Sequence, residues 1–213
     1  TVDTVAAVST IEQNTANTLY DTEGKQVSAT ALSVGGTYLS KAGYTLKGVI
    51  TENHLKSAKL TVKKDGTTTL ENALDLKTIS SSKGSWTDGT KTWTYIQSIA
   101  PTGGDGTYTY SLALEDDAGN KTTETLTVKV DTTAPTLIIT TPGADQATST
   151  TPMTIRGTVD DAGAGVKKVV YSYADATLSK EAVVNGNSWS HDISFTAEGS
   201  FTLYAKAIDN LGW

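Results

Sequence analysis

One ordered set of motifs occurs twice in the 213 residues, and this internal repeat constrains the fold more than any other feature. Its clearest motif is GTYTYSLALED over Gly106–Asp116 and GSFTLYAKAID over Gly199–Asp209. In both copies an aromatic residue follows the glycine by two positions and the aspartate follows it by ten. The turns that come next, DDAGN and DNLGW, also align. Such a repeat indicates two structural units in tandem.

Further pairs of residues keep the same order along the chain. They are Val2-Asp3 with Val130-Asp131, Gly48 with Gly157, and Trp93 with Trp189. The glycine and the tryptophan are 45 residues apart in the first copy and 32 in the second, so the first copy has about 13 extra residues. The sequence therefore predicts an enlarged repeat at 1–130, with an N-terminal extension and an inserted hairpin or loop at 80–92, and a compact repeat at 131–213.

Short segments of alternating polarity, rich in Val, Thr, Tyr and Leu, lie between clusters of turn-forming residues and predict β-strands. Nine strands without a helix between them favour an all-β fold of antiparallel sandwiches. Alternation places Tyr110, Leu112 and Leu114 in one core and Leu203, Ala205 and Ala207 in the other. Trp93 and Trp189 are also expected in the cores. The nine clearest strands are Tyr44–Ile50, Ser57–Lys63, Tyr108–Leu114, Thr122–Val130, Thr136–Thr141, Met153–Val159, Val166–Tyr173, Ser188–Phe195 and Ser200–Ile208.

This combination resembles the bacterial immunoglobulin-like (Ig-like) tandem repeats of large adhesins and other cell-surface or secreted proteins. The motifs that carry the resemblance are VDTTAP over Val130–Pro135, the glycine that closes the second strand, the tryptophan near the fifth, the Gly-x-Tyr or Gly-x-Phe that opens the sixth, and Asp-x-x-Gly after it. The resemblance implies two tandem Ig-like antiparallel β-sandwiches. Tyr108 resembles the corner tyrosine of such folds, whose hydroxyl bonds to the backbone upstream, and Phe201 cannot form that bond.

The second repeat is expected to lack its last strand in this sequence. The first repeat continues after Asp116 into a plain final strand, whereas the second stops at Trp213, directly after the equivalent turn. One explanation is that the chain is a fragment of a longer protein. The other is that another subunit supplies a strand, as in pilus assembly, with residues 1–38 as the candidate donor.

Composition excludes several classes of function. The net charge is −6 and no cluster of Lys and Arg occurs, so no nucleic-acid partner is expected. No apolar run approaches the roughly 18 residues that a membrane span needs, so membrane insertion is not expected. The absence of cysteine excludes disulfides, thiolate zinc sites and cysteine nucleophiles. The two histidines, His54 and His191, occupy non-equivalent positions and no catalytic motif is present, so no enzyme is predicted.

Acidic residues gather at the predicted joints of the repeats. In an Ig-like sandwich the start of the first strand, the loop after the second and the loop before the last lie at one end. Calcium takes six to eight oxygen ligands and offsets the repulsion between carboxylates, and the resemblance also implies calcium, which stiffens several large adhesins between domains. The alternative is ordinary turn structure without a metal. The candidate ligands are Asp131, Asp160, Asp161 and Asp209 in the second repeat, and Asp3, Asp116 and Asp117, beside Glu52, in the first.

The leading functional prediction is a non-catalytic spacer or stalk segment of a bacterial cell-surface or secreted protein, whose partners are the neighbouring repeats of a longer chain. Two alternatives stay open. One is a binding module for a cell-surface glycan, through exposed aromatics such as Trp86, or for a protein, through a strand edge. The other is a filament or pilus subunit that uses strand donation.

Overall fold

The computed structural model describes residues 3–13, 19–28, 32–99, 104–148, 151–173 and 177–213, and it is all-β. The chain divides into two compact units, Thr1–Thr132 and Thr133–Trp213. Val2, which opens the first sequence repeat, lies outside the described residues. In the described ranges no helix is long and apolar enough to cross a membrane.

The first unit is built from strands that pair into two sheets. In chain order its elements are β1 (Val8–Ser9), β2 (Glu12–Gln13), β3 (Thr37–Ser40), β4 (Tyr44–Thr51), β5 (Leu55–Lys64), β6 (Thr68–Asp75), a 3₁₀ helix (Leu76–Thr78), β7 (Gly84–Thr87), β8 (Thr92–Gln97), β9 (Gly106–Asp116) and β10 (Lys121–Val130). In one sheet β4 pairs with β1 and β2 along one edge and with β8, then β7, along the other. The second sheet has the order β3-β10-β9-β5-β6.

One strand pair of the first unit is parallel. β3 lies beside β10 in the register that runs from Thr37 opposite Thr127 to Ser40 opposite Val130. The remaining pairs between these strands are antiparallel. The parallel pair therefore connects an early strand of the unit to its last one.

The second unit repeats this plan in a smaller form. Its strands are β11 (Thr136–Thr141), β12 (Met153–Asp160), β13 (Val166–Ser172), β14 (Lys180–Asn185), β15 (Ser188–Ile193) and β16 (Tyr204–Asp209). They pair in the order β11-β12-β15-β14-β13-β16. β14 belongs to two strand pairs: its residues 180–182 pair with β13, and its residues 183–185 pair with β15. It therefore connects β11, β12 and β15 to β13 and β16. Within the described residues β16 pairs with β13 alone.

Each unit has its own hydrophobic core around one tryptophan. Trp93 and Trp189 are each 1% exposed, which confirms their predicted core positions. Each tryptophan lies directly opposite the repeated glycine on the neighbouring strand, with Gly48 opposite Trp93 and Gly157 opposite Trp189. The two residue types that identify the repeat are therefore cross-strand partners in both units.

The repeated glycine is required by close approach. A Cβ on Gly48 would lie 2.1 Å from the carbonyl oxygen of Thr10, and one on Gly157 would lie 1.8 Å from that of Ile138. In both units that Cβ would also lie within 2.7 Å of the indole nitrogen opposite. These separations are far below van der Waals contact, so only glycine lets the first strand and the indole reach these positions.

The corner tyrosine predicted from the sequence is present in the first unit. The hydroxyl of Tyr108 donates a 2.7 Å hydrogen bond to the carbonyl oxygen of Gly104, four residues upstream. Tyr110, Leu112 and Leu114, which follow it on β9, are each 2% exposed, as alternation predicts.

The equivalent strand of the second unit differs from its prediction. It was expected to begin at Ser200, but β16 begins at Tyr204. Phe201 is 46% exposed, and its ring lies against those of Tyr173 and Phe195. Phenylalanine has no hydroxyl that could tie this segment to the backbone, so the ring packs with other aromatic rings instead. The residues after it, Leu203, Ala205 and Ala207, pack against the core as predicted.

Candidate functional site

The Asp-x-x-Gly motif forms the same turn in both units. Oδ1 of Asp116 accepts a 2.8 Å hydrogen bond from the amide of Asn120, and Oδ1 of Asp209 accepts one of 2.8 Å from the amide of Trp213. The glycine three residues after each aspartate has φ of 87° or 88°, in the left-handed region that favours glycine. Both aspartates are fully buried. The motif therefore holds a carboxylate inside the end of each sandwich.

The hydrogen bonds of this turn favour the charged form of Asp116. Burial alone would raise the pKa of this carboxyl group. The side chain and amide of Asn120 and the amides of Ala118 and Gly119 outweigh burial, so the pKa lies below its usual value. Asp116 is therefore an anion at neutral pH.

Main-chain hydrogen bonds connect this turn to the loop after β4 in the first unit and to the loop after β12 in the second. In the first unit the amide of Asp117 donates to the carbonyl oxygen of His54 at 2.8 Å. In the second unit the amide of Asn210 donates to the carbonyl oxygen of Gly165 at 3.1 Å. The two loops that carry acidic residues are thus held side by side in each unit.

Three carboxylates meet at one end of the first unit. Asp3 precedes β1, Glu52 follows β4, and Asp116 ends β9; each offers a carboxylate oxygen, and these oxygens lie within 4.8 Å of one another. The side-chain amide of Asn120 joins two of them, donating to Oδ2 of Asp116 at 2.8 Å and to the backbone oxygen of Asp3 at 3.2 Å. Like charges this close repel, and oxygen ligands from several loops suit a hard cation such as Ca²⁺.

Asp161 and Asp209 form the corresponding pair in the second unit. Their carboxylate oxygens also lie within 4.8 Å of each other. Oδ1 of Asp161 accepts hydrogen bonds from the amides of Gly163 and Gly165, at 2.6 and 3.3 Å, so it is fixed by its own loop. In the described part of the chain Oδ2 of Asp209 is buried without a hydrogen-bond partner. A buried carboxylate oxygen left without a partner is costly, and a cation beside it would remove that cost.

Comparison with known proteins identifies this unit. Residues 135–210 match the model of a family described as the bacterial Ig domain. The second unit is a bacterial Ig domain. The resemblance drawn from the sequence is confirmed for these residues, and bacterial Ig domains are typically non-catalytic and occur in extracellular bacterial proteins. A search of curated proteins finds no match to the chain.

The remaining predicted ligands are Asp160, Asp117 and Asp131. Asp160 ends β12 of the bacterial Ig domain, where its Oδ1 accepts a 2.7 Å hydrogen bond from the side chain of Asn187. Asp117 is exposed at the end of the first unit. Asp131, also in the first unit, is buried, and its amide donates to the carbonyl oxygen of Ser40 at 2.9 Å. That Asp131, Asp160 and Asp117 ligate a metal stays a prediction.

Sequence reasoning missed a buried carboxyl group outside the bacterial Ig domain. Glu124 on β10 is 4% exposed, and its Oε1 accepts a 2.8 Å hydrogen bond from the amide of Ser9 on β1. Among the described residues its Oε2 has no hydrogen-bond partner. Burial raises the pKa of Glu124, and the bond from Ser9 only partly opposes this. The alternation of β10 could have located it, because Glu124 lies on the same face of the strand as the core residues Leu126 and Val128.

Proposed function

We propose that the chain is a non-catalytic, load-bearing spacer segment of a bacterial surface or secreted protein, and that its partners are the neighbouring repeats of a longer chain. The match to the bacterial Ig domain supports a module of this general kind. The observation that carries the load-bearing role is the parallel pair of β3 and β10 in the first unit.

The geometry of this pair supports resistance to force. The amide of Gly35 donates to the carbonyl oxygen of Thr125 at 2.7 Å, and the amide of Thr127 donates to that of Gly36 at 3.0 Å. When the chain is held at its two ends, the force pulls β3 towards the N-terminus and β10 towards the C-terminus. Because the two strands are parallel, this force acts along both of them in opposite directions. All the hydrogen bonds between β3 and β10 then carry the force at the same time. In a hairpin pulled at its open end, by contrast, the hydrogen bonds break one after another.

Single-molecule force spectroscopy on the full chain, held at its two ends, tests the spacer role. Thr127→Pro removes the amide that donates to Gly36, and we expect it to lower the rupture force of the first unit. Thr123→Pro is the matched control, because Thr123 lies on the same strand before the residues that pair with β3. Urea unfolding of both variants separates an effect on force from an effect on stability. Equal rupture forces in the two variants would refute the load-bearing role.

The proposal also includes Ca²⁺ at the acidic ends. Its support is the group of Asp3, Glu52 and Asp116 and the buried oxygen of Asp209 beside Asp161. An ion at 100 times its dissociation constant stabilises the folded state by about 2.7 kcal/mol. We therefore expect calorimetry to show higher melting temperatures in Ca²⁺ than in a chelator.

Substitutions separate calcium binding from ordinary turn structure. Asp209→Asn keeps an acceptor for the turn amides but removes a negative charge, so it should abolish the calcium-dependent shift of the second unit. Asp192→Asn, on β15 of the same unit and bonded to Thr154, should keep it. A melting temperature that does not respond to Ca²⁺ in the unsubstituted chain would leave turn structure as the role of these residues.

A further inference from the structure

A cleft of about 260 Å³ opens at one end of the first unit. Its walls come from the loop after β4, the 3₁₀ helix, β7 with the turn that follows it, and the turn after β9. The loops at the ends of such sandwiches commonly carry binding sites, because the rigid sheets position them. The lining residues that matter for recognition are Asn53, Lys77, Trp86, Asp88, Lys91 and Asp117.

Half of these residues lie in the segment where the sequence predicts an insertion. Trp86, Asp88 and Lys91 lie within residues 80–92, where the structure forms β7 and the turn that leads into β8. In the second unit the turn between β14 and β15 contains only Gly186 and Asn187. Trp86 lies opposite Trp93 as Val184 lies opposite Trp189, so the first unit has an indole where the second has a valine. β7 and the longer turn after it supply the aromatic wall of the cleft and two of its charged groups.

Trp86 forms a fixed aromatic wall. It lies opposite the core residue Trp93 in the β7–β8 pair, packs against the core of the unit and is one of the residues that line the cleft. Its indole nitrogen lies 3.4 Å from Oδ1 of Asp88. An indole and a carboxylate are thereby held side by side at the cleft.

The charges around the cleft are balanced. Two cations, Lys77 and Lys91, and two anions, Asp88 and Asp117, line it. Lys77 already donates to the carbonyl oxygen of Leu55 at 3.2 Å. A polyanion requires an excess of cations, and a hydrophobic ligand requires apolar walls, so neither fits. A neutral sugar ring does fit: its C–H face packs on an indole, and its hydroxyl groups both donate to carboxylates and accept from ammonium and amide groups.

We infer that this cleft binds a neutral pyranose, with Trp86 against the sugar ring and Asp88, Asp117 and Asn53 hydrogen-bonded to its hydroxyls. The first unit then combines a spacer with recognition of a glycan, and its binding does not depend on the load-bearing role. The inference would stand even if the force experiment failed.

Saturation-transfer NMR on the full chain tests this inference with a panel of methyl pyranosides (glucoside, galactoside, mannoside and N-acetylglucosaminide) and with sialyllactose as the acidic arm. We expect transfer to the ring protons of at least one neutral sugar. Trp86→Leu retains an apolar side chain against the core and should weaken binding about tenfold, the effect of losing one aromatic contact. Asp88→Asn, an exposed substitution, should weaken it several-fold.

Trp213→Leu is the matched control, because it removes a partly exposed tryptophan of the second unit, outside the cleft. It should leave binding unchanged, and circular dichroism should show all three variants folded. The inference is overturned if no neutral sugar shows transfer at millimolar concentration, if only sialyllactose does, or if Trp213→Leu weakens binding as much as Trp86→Leu.

Discussion

Gly48→Ala places a methyl group where the structure has no room for one. The new Cβ would lie 2.1 Å from the carbonyl oxygen of Thr10 and 2.6 Å from the indole nitrogen of Trp93. Neither neighbour is the free end of a flexible side chain: one is backbone hydrogen-bonded to β4, and the other is a ring buried to 1% exposure. Relief of the clash therefore requires that the first strand, the indole or both move.

The size of the effect follows from these distances. A carbon and a carbonyl oxygen approach no closer than about 3.3 Å, so the strand must recede by about 1 Å. Overpacking a core by a methyl group costs about 1–3 kcal/mol, and a rigid environment places Gly48→Ala near the upper end. Alanine recovers roughly 0.5–1 kcal/mol over glycine in a strand. The net loss of unfolding free energy should be about 2 kcal/mol, or roughly 5–8 °C in melting temperature for a unit of this size.

Scanning calorimetry of the full chain measures this loss, and Gly89→Ala is the matched control in the same unit. A Cβ on Gly89 meets nothing within 4 Å, so its effect should stay within about 0.5 kcal/mol. Gly157→Ala should repeat the loss in the second unit, where the methyl group would lie 1.8 Å from the carbonyl oxygen of Ile138. If Gly48→Ala and Gly89→Ala differ by less than about 0.5 kcal/mol, the close-packing argument is wrong.

Three further predictions concern the first unit. Tyr108→Phe removes the hydroxyl bonded to Gly104 and should cost about 1 kcal/mol in urea unfolding; no measurable loss would show that the corner bond does not stabilise the unit. Because the pKa of Glu124 is raised in the folded state, its contribution to stability is fully present below its ordinary pKa of 4.5 and is lost as pH rises through the raised value. Unfolding measured across that window should lose this pH dependence in Glu124→Gln, and an unchanged slope in the variant would contradict it. Gly119→Ala forces a left-handed φ of 87° on alanine and should cost about 1 kcal/mol more than Gly89→Ala by calorimetry; equal melting temperatures would refute the requirement for glycine.

The strands that sequence predicted well are those with one buried and one exposed face. Alternation identified β9 and β10 to within two residues at each end, and β11 without error. β6 was not predicted, because most of its residues are exposed and no polar–apolar alternation marks it. β3 was not predicted either, since its partner β10 is about 90 residues away and short-range patterns do not encode such pairing.

The candidate metal site was predictable in outline. Topology alone predicted that Asp3, Glu52 and Asp116 would approach one another, and the structure places them together. It could not separate Asp160 from Asp161, because successive residues at the end of a strand point to opposite sides. Alternation on β10 places Glu124 on the core face, so its burial was predictable. The cleft beside Trp86 depends on contacts between distant segments, which short-range sequence patterns do not encode.

The bonds between the end loops have a consequence for how such repeats diversify. Asp117 to His54 and Asn210 to Gly165 are joined by amides and carbonyl oxygens, so the contact does not depend on which side chains these positions carry. Mutation can therefore change the chemistry displayed at the end of a unit while the loops keep their places. The same property makes the loop end of either unit a suitable scaffold for libraries of randomised side chains, in which new specificities are selected without redesign of the sandwich beneath.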